Sequence, residues 1–237
     1  MLFRSPVDVS IRRARTSGIH VQADARLAFL AIAAAAAGNV EGHRAEVADF
    51  DVFDVEWSDI QLIAAVDGMY GATNGGTARS RGVENGWYYE IAHGLRLSVN
   101  FAYTDARLTQ DTPASVNGHA GDRLPESPFF ASTIGTSYEH PLNSAVVGFG
   151  GVDWHYTGDR LSEFVLGAPR QTLPGYSMID LRAGVRVKDY ELTLYVKNAG
   201  DARAISEVSA ETVNGINAFS ASVITPRTIG LTISGMY

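Results

Sequence analysis

The chain has 237 residues, 46% hydrophobic and 19% charged, with no cysteine and a net charge of −7. So apolar a chain is not disordered, and its acidic balance lacks the basic footprint of a nucleic-acid binder. The lack of cysteine excludes a disulfide framework, cysteine-ligated zinc and thiol catalysis, and the 24 glycines, set among apolar and aromatic runs, suit an all-β chain.

No stretch reaches the roughly 18–20 continuous apolar residues of a membrane-spanning helix. The nearest is 27–37, which ends in five alanines and follows Arg4, Arg12, Arg13, Arg15 and Arg26. A basic lead, an apolar run and an Ala35-Ala36-Ala37 end fit a secretory signal. A stray alanine-rich helix, or unrelated sequence behind a mis-set start, fits as well. Residues 1–44 therefore form an unassigned N-terminal stretch, and 45–237 the folded part.

From residue 45 onward the period is two rather than 3.6. Weaker alternating runs cover 46–65 and 77–91. In 95–104, Leu95, Leu97, Val99, Phe101 and Tyr103 share one face, with Arg96, Ser98, Asn100 and Thr104 on the other. Runs at 127–139 and 145–157 follow. In 179–187, Asp180, Arg182 and Arg186 oppose Ile179, Leu181, Ala183, Val185 and Val187. In 190–197, Leu192, Leu194 and Val196 oppose Glu191, Thr193 and Lys197, and 228–237 sets Ile229, Leu231, Ile233 and Tyr237 against Thr228, Thr232 and Ser234. This predicts about eight strands of the length that crosses a bilayer.

The connections alternate in length. Residues 92–94, 140–143 and 188–189 read as tight turns, while long polar stretches lie at roughly 66–76, 105–126, 158–175 and 199–222. Short turns at one end and long loops at the other are the pattern of an outer-membrane β-barrel. In such a barrel the apolar face meets lipid and the polar face lines the lumen, the reverse of a soluble β protein. Trp57, Trp87, Tyr89, Tyr103, Tyr138, Trp154, Tyr156, Tyr176 and Tyr190 lie near strand ends, where an interfacial aromatic girdle sits. Asp49 and Asp51 share a face with Phe53, Val55 and Trp57. That is costly at mid-membrane, so the strand is expected to start nearer Val52 or to leave the bilayer there.

Seven fragments in order carry a family resemblance: Arg79-Ser-Arg-Gly-Val-Glu84, Tyr103-Thr-Asp-Ala106, Gly121-Asp-Arg-Leu-Pro125, Pro174-Gly-Tyr176, Asp180-Leu-Arg-Ala-Gly-Val185, Val196-Lys-Asn198 with Asp201, and Pro226-Arg-Thr-Ile-Gly-Leu231. Over about 46–237 the chain resembles the C-terminal barrel of TonB-dependent outer-membrane receptors. It departs from them in reading Asn198-Ala-Gly-Asp201 where members usually place Asn-Leu-Phe-Asp, and in ending on Tyr237 rather than Phe. The resemblance implies an antiparallel transmembrane barrel segment, part of a 22-stranded barrel of the plugged kind. It implies a receptor of a Gram-negative outer membrane, not an enzyme and without a cofactor. Its role is uptake of a scarce nutrient of the siderophore, corrinoid or glycan class. Partners would be outer-membrane lipid, the barrel-assembly machinery, a small-molecule or glycan substrate, and a plug domain and TonB reached through sequence this segment lacks; no nucleic acid is among them. Residues 105–126, 158–175 and 199–222 would form part of the substrate mouth. Ile229, Leu231, Ile233 and Tyr237 would form an assembly signal.

The six histidines show no metal-ligand spacing. His93 and His140 read as turn residues, and His119 as a loop residue able to touch a metal chelate. Neither a G-x-S-x-G motif nor a phosphate loop is present. Arg96, Asp180, Arg182, Arg186, Glu191 and Lys197 are candidate lumen contacts or cross-strand pairs, with Arg182 and Glu191 placed to face each other across the turn at 188–189. Two other readings stay open: a free-standing eight-stranded barrel acting as an adhesin or structural protein, and a barrel-borne hydrolase built on His155.

Overall fold

The computed structural model describes residues 7–8, 15–16, 19–21, 44–66, 69–164, 170–213 and 216–235. The apolar run at 27–37, Asn214 and Tyr237 lie outside them. Three short strands, β1 (Val7–Asp8), β2 (Arg15–Thr16) and β3 (Ile19–Val21), precede the long β4 (Arg44–Trp57). A hairpin of β5 (Gln61–Val66) and β6 (Met69–Asn74) follows, then β7 (Ala78–Ala92), β8 (Leu95–Leu108), β9 (Phe130–Pro141) and β10 (Val146–Thr157). The short β11 (Arg160–Leu161) and β12 (Thr172–Leu173) pair in the next loop before β13 (Tyr176–Val187) and β14 (Tyr190–Lys197). A last hairpin, β15 (Ile205–Val213) and β16 (Ile216–Val223), precedes β17 (Thr228–Gly235). No helix occurs among the described residues.

The main sheet has 11 strands in the order β17-β14-β13-β10-β9-β8-β7-β4-β3-β2, with β1 beside β4. Its eight long strands form an antiparallel meander from β4 to β17. The sheet does not close: β17 is one edge and β2 the other. All-β architecture, antiparallel pairing and eight long strands agree with the sequence reading.

Residues directly opposed on neighbouring strands share a face, so register sorts the two surfaces. Trp87 opposes Val99, Val99 opposes Ile134, Ile134 opposes Trp154, and Trp154 opposes Ile179, one apolar row across five strands. Leu181, Val196 and Ile229 continue it toward the β17 edge. Large apolar side chains on this face are exposed, among them Ile134 at 40%, Leu194 at 51% and Ile233 at 72%. So wide an apolar face marks contact with another apolar phase rather than with water, and we call it the outward face. The buried apolar cluster, Leu62, Ala78, Ala106, Leu108, Val116, Leu124 and Phe164, instead sits at the loop end of the sheet.

The three tight turns all lie at one end. Gly94, with φ 76°, closes the β7–β8 turn and Lys188, with φ 51°, the β13–β14 turn, while 142–145 joins β9 to β10. The opposite end carries the four long connections. Three of these hold hairpins, two of them in what the sequence reading treats as polar stretches, and β4 ends at Trp57 rather than running to 65, where β5 forms instead. Asp59 takes φ 57°, and backbone bonds between Ile60 and Gly75–Gly76 start the β5–β6 hairpin there.

The register also corrects the reading of β4. Asp49 opposes Gly86 and Asp51 opposes Glu84, and this row lies on the face of Asn100 and Ala102, opposite to Trp87 and Val99. Both aspartates therefore line the inner face. The strand starts at Arg44, well before Val52. The apolar companions that made the aspartates look misplaced are inner residues as well. Phe53 lies against Gly82, and Trp57 packs against the loop-end cluster.

Candidate functional site: the inner wall and the loop crown

Arg96, Asp180, Arg182, Arg186, Glu191 and Lys197 all fall on the inner face by register. Cross-strand pairs do form on this wall, but Arg182 and Glu191 do not face each other. Arg182 opposes Tyr195 and Gly151 and forms an ion pair with Asp153. Gly151 leaves room for the guanidinium to lie flat, since a Cβ there would come 3.0 Å from its central carbon. Glu191 directly opposes Arg186 instead, which donates from Nε at 3.2 Å and Nη2 at 3.0 Å. The turn at 188–189 puts 186 and 191 in register, leaving 182 two residue pairs beyond the reach of Glu191.

His155 faces the same wall. Its Nδ1 lies 3.2 Å from the Thr133 hydroxyl, and its Nε2 lies 3.7 Å from Asp180. The other Asp180 oxygen accepts the backbone N–H of Asn198 at 2.8 Å. A polar chain thus runs from mid-wall to the loop after β14. Asn198 is buried and takes φ 48°. Its amide donates to the carbonyls of Ala202 and Thr225 and accepts from the Ala202 N–H. Asp201 accepts the Arg227 N–H. The Asn-x-x-Asp motif is therefore a staple joining the end of β14 to the start of β17, and it works without an aromatic residue between its ends.

Above the wall, three loops interlock around two arginines. Arg160 is 7% exposed and donates to the carbonyls of Ile205 and Ser206 at 3.0 and 2.9 Å. It also lies 3.7 Å from Glu126. Arg170 donates to the carbonyls of Ser162 and Arg123 and lies 4.1 Å over the Phe164 ring. Burial pushes the Glu126 carboxyl above its ordinary range, partly offset by Arg160; burial, reinforced by Glu207, does the same to Glu163. Beside them opens a cavity of about 430 Å³ whose walls include Trp57, Ile60, Leu62, Leu124, Glu163 and Phe164. It can seat an apolar group against a carboxylate that protonates readily. His119 is exposed, 3.8 Å from Asp111.

Trp87, Tyr103, Tyr138, Trp154, Tyr156 and Tyr190 take the outward face. Tyr176 does not: it opposes Thr157 on the inner side and lies 5.4 Å under the Arg160 guanidinium. The strand begins three residues earlier than the alternation at 179 suggests, and counting back from 179 puts position 176 on the face of Asp180. Ile229, Leu231 and Ile233 alternate outward on β17. Asp153, Arg160, Arg170 and Glu163 are site residues that sequence reasoning missed. The three loop residues have no periodic signal, and Asp153 sits in a glycine-rich run whose weak alternation hides its face.

The family model for the TonB dependent receptor-like β-barrel matches residues 40–199. Among solved structures, the chain resembles the ferric yersiniabactin uptake receptor FyuA of Yersinia pestis at TM-score 0.61 and 18% identity, covering 77% of this chain and 26% of that one. It resembles the ferric-catecholate import receptor Fiu of E. coli K12 at TM-score 0.55 and 19% identity, over 77% and 24%. It also resembles the copper transporter OprC at TM-score 0.57 and 18% identity, over 82% and 29%. At these identities the likeness is one of fold, and the chain spans only about a quarter of each structure's length. No curated relative matches the sequence. The chain's antiparallel sheet has an apolar outer face, a charged inner face and all its long loops at one end, and the chain belongs to the TonB-dependent-receptor-like β-barrel proteins.

Proposed function

We propose that this chain is wall and crown of an outer-membrane receptor for TonB-dependent uptake of a scarce nutrient, of the siderophore, corrinoid or glycan class. The observation that carries the reading is the pair of opposed faces on one meander. The apolar outer side is suited to lipid and the charged inner side to a lumen, with every long loop at one end. The open sheet supports a segment of a wider barrel, because unpaired edge groups are not tolerated in lipid. In that barrel a plug domain would pack against the Arg182–Asp153 and Arg186–Glu191 wall and relay TonB action. The crown cavity would form part of the substrate mouth. Trp87, Tyr103, Tyr138, Trp154, Tyr156 and Tyr190 would serve as the girdle.

Cysteine labelling tests this topology in the complete receptor. A cysteine at Asn117, between β8 and β9, should react with an impermeant maleimide on intact cells. One at Asn143 or Asp189 should react only after the outer membrane is opened. The reversed pattern would place the loops on the wrong side and remove the substrate mouth.

A further inference from the structure

The crown cavity is mostly apolar, yet a carboxylate lines it. Ser80, Thr104 and Ala106 form part of its wall. On β8, Thr104 and Ala106 continue the inner row of Asn100 and Ala102, and Ser80 stands opposite Ala106. The cavity therefore lies on the inner side of the crown, and its volume of about 430 Å³ is that of a small-molecule pocket. Trp57 and Phe164 supply aromatic walls, Leu62 and Leu124 aliphatic ones. Among the described residues of this lining, Glu163 is the one ionisable side chain.

The surrounding charges leave that carboxylate unanswered. No ion pair or side-chain hydrogen bond engages it among the described residues. Arg160 donates to the carbonyls of Ile205 and Ser206 and faces Glu126. Arg170 donates to the carbonyls of Ser162 and Arg123 and covers the Phe164 ring. The charges that Glu163 feels or acts on are carboxylates, Glu207 and Glu126. A carboxylate in apolar surroundings and beside like charges lacks a cation. The aromatic walls favour the same partner, because a π-face attracts an organic cation as well as an apolar ring.

We propose that Glu163 makes this cavity a subsite for an organic cation: a protonated amine carried on an apolar or aromatic body. The ammonium seats against the Glu163 carboxylate, and the body against Trp57, Leu62 and Leu124. The same carboxylate rejects an anionic group of equal size. A bare metal ion fits less well, since no group of three ligating side chains gathers among the described residues. The inference rests on the crown being the substrate mouth, and it makes Glu163 the residue that selects substrate there by charge.

Titration calorimetry on the complete receptor in detergent supplies the test, with phenethylamine, phenethyl alcohol and phenylacetate as probes of similar body and different charge. The parent should bind the amine about tenfold more tightly than the alcohol, the size expected of one charge-assisted contact, and phenylacetate most weakly. Glu163→Gln should bring the amine down to the alcohol, and Glu163→Asp should keep part of the preference. Glu56→Gln, exposed on the outward face, should keep all of it. Lowering the pH from about 8 to about 5 leaves the amine charged and protonates Glu163, so amine affinity should fall in the parent. Glu126 and Glu207 titrate nearby, so the deciding comparison is Glu163→Gln, whose profile should be flat. Equal affinity for amine and alcohol in the parent overturns the proposal, as does a preference that survives Glu163→Gln. Alcohol affinity that rises as pH falls, without an amine preference, overturns it in favour of a protonated Glu163 donating to a neutral ligand. Should Glu163→Gln fail to fold, shown by lost heat-modifiable migration, the order of the three probes and the pH slope of the parent decide. Binding in detergent does not depend on which way the loops face, whereas labelling at Asn117 does. Labelling as expected without an amine preference would sink the subsite alone; reversed labelling with the preference intact would sink the substrate-mouth reading alone.

Discussion

Replacing Asn198 tests whether the Asn-x-x-Asp motif is the staple its geometry indicates. The residue is 2% exposed, and its side chain makes three hydrogen bonds, two donated at 3.0 Å and one accepted at 2.8 Å. Asn198→Ala removes all three and strands the Ala202 N–H and the Ala202 and Thr225 carbonyls, at about 1 kcal/mol each. Alanine also tolerates a φ of 48° less well than asparagine, adding about 1 kcal/mol. The total is about 3–4 kcal/mol. Asn198→Gly relieves the backbone and should cost about 1 kcal/mol less than alanine. Asn198→Asp keeps the acceptor but turns a carboxylate toward two carbonyl oxygens, so it should behave no better than alanine. The damage should be local, freeing 199–227 before the strands separate, because the lost bonds tie the two ends of that loop. Hydrogen exchange on the complete barrel reads this directly. Protection of the Ala202 and Arg227 amides should fall about a hundredfold in the alanine variant, with mid-strand amides of β13 unchanged. Alanine and aspartate variants both within about 0.5 kcal/mol of the parent would refute the staple, since changes of that size are ordinary for surface sites.

Other outcomes follow from the same structure. The chain alone should not form a heat-modifiable monomeric barrel in detergent, because β17 leaves an open edge; a monomer resisting SDS at room temperature would favour a free-standing barrel instead. Replacing the outward-alternating Ile229, Leu231 and Ile233 of β17 by serine in the complete receptor should sharply lower its outer-membrane yield, because these side chains must meet lipid; an unchanged yield would make β17 an ordinary edge strand. The crown should tighten as pH falls. Glu126 and Glu163 both titrate above the ordinary glutamate range in the folded loops, so their protonated forms are favoured there. That stability is complete below the unfolded value of about 4.3 and is lost as pH rises through the raised values. Proteolysis between β10 and β13, normalised to an unfolded substrate, should be slower at pH 5 than at pH 7, and Glu163→Gln should blunt the difference. A pH-independent rate in the parent would contradict this account.

Alternation alone determined the long strands. Over 95–103, 179–187 and 190–196 every second residue is apolar, and a period of two admits one backbone conformation and one division into faces. The tight turns were legible too, because His93-Gly94 and Lys188-Asp189 interrupt that period for only two residues. Together these fixed the parity that puts all long loops at one end. What alternation cannot supply is the relation between strands. The partner of Glu191 is Arg186 and not Arg182, because pairing depends on register, which the turn sets. Tyr176 and the Asp49–Asp51 pair were assigned by proximity to a strand end or to apolar neighbours, and only the cross-strand partners Thr157, Gly86 and Glu84 reveal which side each faces. The crown was less legible still. Arg160, Arg170, Glu126 and Glu163 lie on non-periodic loops and gain their burial and partners, and the two glutamates their raised titration, only when three loops close over one another. A local pattern records what each residue does to its own backbone; contacts between distant loops leave no such mark, so only the tertiary structure could decide them.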